Sequence, residues 1–83
     1  MNIEIIRQKN ENGYKVFEMA CGKKQAYILE RSGSKNDYVN VICQNDSHRA
    51  WKGMGRIFRN FDEAIEGYKS SEMKAMINFA KNN

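Results

Sequence analysis

Asn10-Glu11-Asn12-Gly13-Tyr14-Lys15-Val16-Phe17-Glu18-Met19-Ala20-Cys21-Gly22-Lys23-Lys24 is the stretch that decides the fold. Asn12-Gly13 is the strongest short hairpin signal a sequence offers, because both residues tolerate a positive φ. Cys21-Gly22-Lys23-Lys24 supplies a second tight turn. Between the two turns, Tyr14 to Ala20 alternates as a strand does. Working outward, Ile3 to Arg7 gives a strand before the first turn and Ala26 to Glu30 a strand after the second. Arg31-Ser32-Gly33-Ser34-Lys35-Asn36-Asp37 is too polar and too rich in turn formers for regular structure. Tyr38 to Cys43 follows as a fourth strand, with Val39, Val41 and Cys43 on one face and Tyr38, Asn40 and Ile42 on the other. Connections this tight predict an antiparallel meander.

The next stretch reads less regularly. Gly53 and Gly55 flank Met54 and suggest a bend, and Arg56-Ile57-Phe58-Arg59 is a candidate fifth strand. Residues 60–82 then carry a helical pattern. Asn60 is placed to cap it, Glu63 to bond back to the cap, and Asp62, Glu63 and Lys81 to complement the helix dipole. Phe61, Ile65, Tyr68, Met76 and Phe79 form an apolar stripe, widened by Ala64, Met73, Ile77 and Ala80. Ser70-Ser71 marks a kink or restart, with Ser71 as the cap of the second part. The expectation is one α+β domain over 1–83: a sheet of four to five strands in 1–59, and one long C-terminal helix in 60–82 packed across one face.

The chain has 83 residues, no proline and a net charge of +4. A chain this short hides only about 60% of its extended surface on folding, which leaves room for one small core. Its longest apolar run, Ala26-Tyr27-Ile28-Leu29, has four residues, so no membrane partner is expected. Met1-Asn2-Ile3-Glu4 carries an acid where a signal peptide carries bases, which points to the cytoplasm. Cys21 and Cys43 with the single His48 cannot close a tetrahedral metal site, and both thiols read as small half-buried hydrophobes. Cys43 and His48, five residues apart across a turn, are within reach of each other, but a nucleophile–base pair also needs a third orienting group and a pocket; no phosphate-binding or metalloprotease motif is present, and neither catalysis nor a cofactor is expected.

Charge is the one feature that goes beyond composition. Residues 47–60 hold Arg49, Lys52, Arg56 and Arg59 with no acid, which equals the surplus of the whole chain. Trp51 and Phe58 lie among them. Arginine and lysine bind phosphate oxygens and aromatic faces stack on bases, so Arg49, Lys52, Arg56 and Arg59 are candidate phosphate contacts, with Trp51 and Phe58 as candidate stacking residues. The expected function is a small non-catalytic nucleic-acid-binding module that prefers single strands of DNA or RNA. The alternative from another class is a phage or mobile-element protein that inhibits an acidic host protein through the same surface, since Trp and Arg anchor interfaces. A helix longer than the sheet is wide would also offer Met73, Met76, Ile77 and Phe79 to a second copy, as a homodimer contact.

Two resemblances point the same way. Four strands followed by a C-terminal helix resemble the small single-stranded-DNA-binding proteins of the transcriptional-coactivator type, which dimerise through that helix. Phe58-x-x-Phe61-Asp62-Glu63-Ala64-Ile65 followed by Tyr68-Lys69 resembles the strand-to-helix passage of WGR-type DNA-binding domains. The Trp-Gly-Arg signature of that family is spread here over Trp51-Lys52-Gly53-Met54-Gly55-Arg56, and the loop that follows it there is missing.

Overall fold

A computed structural model describes residues 2–45 and 55–83, the side chains of residues 44 and 45 excepted. Five strands, β1 (Ile3–Glu11), β2 (Tyr14–Cys21), β3 (Lys24–Arg31), β4 (Tyr38–Asn45) and β5 (Arg56–Phe58), form one sheet in sequence order. Every neighbouring pair is antiparallel. The first turn places Asn12 at φ 53 and Gly13 at φ 79, the two positive values a tight hairpin requires. The second puts Gly22 at φ 59 in its first central position. Because each turn takes only two residues, pairing continues to its very edge: Glu11 faces Tyr14 and Cys21 faces Lys24. β1 therefore runs beyond the expected end at Arg7; β3 and β4 also pass their expected ends at Glu30 and Cys43, to Arg31 and Asn45.

Alternation sorts the sheet into two faces. Phe17, Met19 and Cys21 of β2, Ala26 and Ile28 of β3, and Val39 and Val41 of β4 point to one side and are buried there. Phe61, Ala64, Met73, Met76, Ile77 and Ala80 cover them and complete the core. Phe79 lies edge-on to Phe17 with ring centroids 6.4 Å apart. Of the two thiols read as half-buried, Cys21 is sealed in this core, whereas Cys43, at the end of the same face, is exposed.

The single long helix is replaced by two. α1 spans Phe61–Glu66 and α2 spans Ser71–Asn82. Asn60 caps α1 as expected, its Oδ1 accepting from the Glu63 N–H at 2.9 Å. The Glu63 carboxylate bonds back to the N–H of Arg59, one residue before the cap. The cap of α2 is Ser70, one residue earlier than expected, its Oγ accepting from the Met73 N–H at 3.2 Å. The break has a tertiary cause. At Gly67 a Cβ would come within 2.5 Å of the Phe58 ring, so glycine lets that ring close on the end of α1. Carbonyls at that end are then taken by side chains: Lys74 donates to Ile65 O and Arg56 to Gly67 O, each at 2.7 Å. Lys81 reaches Asp62 at 2.7 Å and ties the end of α2 to the start of α1. No described helix is long and apolar enough to cross a membrane.

Candidate nucleic-acid interface

The basic–aromatic segment is only partly described. Arg49, Trp51 and Lys52 lie outside the described residues, as does His48. Arg56 and Phe58 share a face, as alternation requires, and it is the helix-bearing one, since they oppose Val41 and Val39. The Arg56 guanidinium lies 5.1 Å from the Phe58 ring centre and 4.8 Å from that of Tyr68, while donating to Gly67 O. Phe58 is half-buried and packs at a tilt on Tyr68, ring centres 6.0 Å apart. These two side chains clamp β5 to the link between the helices. Burial pushes the Tyr68 hydroxyl up, against the opposing pull of Arg56. Arg59 sits at the start of α1 and grips Glu63 through Nε at 3.0 Å and Nη2 at 2.7 Å. That bond holds the Glu63 carboxyl below its ordinary range.

The opposite sheet face collects a second set of bases and aromatics that the segment reading missed. The register lays its side chains in rows across the sheet, and three of them carry its bases and aromatics. Arg7, Glu18, Tyr27 and Ile42 form one row. Lys9, Val16, Leu29, Asn40 and Ile57 form the next. Glu11, Tyr14, Arg31 and Tyr38 form the third. Neither helix packs on this side. Tyr14 and Ile57 are exposed, and Val16, Tyr27, Leu29, Tyr38 and Ile42 are half-buried. A groove of about 330 Å³ opens between Arg7, Lys9, Tyr14, Val16, Tyr27 and Leu29.

Local contacts set the posture of this face. Arg7 pairs with Glu18 at 3.0 Å and lies 6.0 Å from the Tyr27 ring centre. Arg31 lies 5.9 Å from the ring centre of Tyr14. Lys9 approaches Glu11 at 3.3 Å, an exposed pair of little energetic weight. Asn40 Oδ1 is buried on this face without a hydrogen-bond partner among the described residues, beside Gly55, where a Cβ would collide with it. Bases and acids here nearly balance, so the face offers stacking surface with a few cations rather than a strong field. The signal was present in the sequence: counting in twos from Asn12-Gly13 and Gly22-Lys23 places Arg7, Lys9, Tyr14, Tyr27 and Arg31 on one side.

No family model, curated protein or solved structure matches the chain. Neither resemblance therefore gains support from known proteins, and function rests on the chain's own residues.

Proposed function

We propose that this chain is a small non-catalytic module that binds nucleic acid, single strands in preference to duplex. One observation carries the reading: the helix-free face interleaves Tyr14, Tyr27 and Tyr38 with Arg7, Lys9 and Arg31 around an open groove. Unpaired bases stack on such tyrosines irrespective of sequence. In this reading Lys9 and Arg31 contact phosphates, whereas Arg7 is paired with Glu18 and lies 6.0 Å from the Tyr27 ring centre. Arg49 and Lys52, with Trp51 between them, belong to the stretch that joins β4 to β5 and supply further cations and a ring. The preference for single strands follows from the helices. α2 spends Met73, Met76, Ile77 and Ala80 on the core, so among the described residues no free helix remains to enter a major groove.

Fluorescence anisotropy with labelled single-stranded and duplex oligonucleotides at two salt concentrations tests the reading. Micromolar binding to single strands is expected, with a log–log salt slope of about −3, as four phosphate contacts give on single strands. Lys9→Glu with Arg31→Glu weakens it through the sheet face, and Arg49→Ala with Lys52→Ala through the connecting segment. No binding to either oligonucleotide at about 50 mM salt overturns the proposal.

A further inference from the structure

The homodimer contact expected at Met73, Met76, Ile77 and Phe79 is used within the chain: the first three are fully buried and Phe79 packs on Phe17. A different surface carries the features of a self-association edge. β1 is nine residues long, and β2 is its only partner strand among the described residues. Long bare edges invite another strand, so natural sheets keep them short or blunt them. This edge is neither short nor uniformly charged. Ile5 is 38% exposed and Ile6 50% exposed, adjacent residues at the middle of its N-terminal half.

The register of β1 shifts between Ile5 and Arg7. That shift changes which residues share a face. Glu4 opposes Ala20 and Arg7 opposes Glu18, so both lie on the open face. Ile3 opposes Cys21 and Gln8 opposes Phe17, so both lie on the helix-bearing face. In a regular strand, residues three or five apart fall on opposite sides. Here the extra residue brings them to the same side.

A two-fold axis perpendicular to a sheet pairs a strand antiparallel with its own copy and keeps each face on its own side. With that axis between Ile5 and Ile6, Glu4 meets the partner's Arg7 and Ile3 meets the partner's Gln8, each pair on one face. The four exposed isoleucine side chains gather at the centre. The charges match at both ends, as cross-strand pairs require.

We propose that β1 pairs antiparallel with β1 of a second copy, joining two five-stranded sheets into one continuous sheet. The inference does not depend on the nucleic-acid reading. It sets the two open faces side by side.

Light scattering of the full chain at high micromolar concentration, without nucleic acid, tests it. A mass of twice 9.7 kDa is expected. Glu4→Lys and Arg7→Glu should each weaken association by at least about tenfold, because like charges then oppose each other twice per dimer. An equimolar mixture of the two variants should restore the dimer mass, since opposite charges then meet at both contacts. Ile6→Lys should give the single-chain mass with an unchanged circular dichroism spectrum, which separates lost pairing from lost folding. Three results overturn the proposal: a single-chain mass for the unmodified protein, a dimer indifferent to Glu4→Lys and Ile6→Lys, or a mixture that stays monomeric.

Discussion

The two faces of the sheet are made from the same strands and have opposite fates. On one, Phe17, Met19, Ile28, Val39 and Val41 are sealed beneath two helices. On the other, Val16, Tyr27, Leu29 and Ile42 stay half-buried, and tyrosines and bases surround them. Neighbouring residues such as Ile28 and Leu29 thus differ in purpose although they differ little in chemistry. One face holds the fold together, and the other is free to be a surface. Arg56 and Phe58, candidate binding residues in the sequence, lie on the helix-bearing face, Arg56 exposed and Phe58 half-buried.

The largest expected contrast is between those neighbours. Ile28→Ala removes a fully buried side chain and should cost about 2–5 kcal/mol in urea unfolding, enough to threaten a domain this small. Leu29→Ala, on the open face, should cost clearly less. Equal losses would mean that the open face is also core. Next, Tyr14→Ala and Tyr27→Ala should each weaken single-strand binding by about 1–3 kcal/mol with little change in unfolding midpoint. Ile28→Ala, assayed where it is still folded, should leave affinity near its starting value. Arg56→Ala should do the reverse of the tyrosine variants. It removes a hydrogen bond to Gly67 and two ring contacts, so about 1–2 kcal/mol of stability should go while affinity holds. A large affinity loss with intact stability would return Arg56 to the binding surface. Ser70→Ala should cost about 1 kcal/mol by leaving the first turn of α2 uncapped.

The smallest effect is that of acid. Glu63 is held low chiefly by its bond from Arg59, and Glu72 chiefly by its own backbone N–H and then by the Ser70 hydroxyl. A carboxyl with a lowered folded pKa stabilises the fold above its unfolded value and loses that contribution as pH falls through the folded one. The thermal midpoint should therefore decline below the ordinary glutamate value of 4.5, and Glu63→Gln should make the decline shallower. Both groups are exposed, so the change should be slight, and added salt should shrink it further.

Much of the frame was readable before any coordinates. Asn12-Gly13 and Gly22 announce turns because a positive φ is a property of one or two residues and needs no distant partner. The division of β4 into Val39 and Val41 against Tyr38, Asn40 and Ile42 follows from a period of two. The cap at Asn60 is equally local. The break between α1 and α2 was half legible, since Ser70-Ser71 marked it. Its cause was not, because the Phe58 ring, the Arg56 guanidinium and the Lys74 ammonium reach Gly67 and Ile65 from elsewhere in the chain.

The charge count of residues 47–60 could be made from the sequence, but not what those charges touch. Arg59 is given to Glu63 and Arg56 to a carbonyl and two rings, and a count of cations holds no information about their partners. By itself, then, the sequence determined the meander, the alternation along each strand and the apolar stripe of the C-terminal segment, all of which depend on near neighbours. Only the tertiary structure decided which sheet face the helices would cover, where the second helix would begin and which tyrosines would stay open. Those outcomes depend on side chains that meet across the fold, and their packing is the sum of many contacts no single stretch contains.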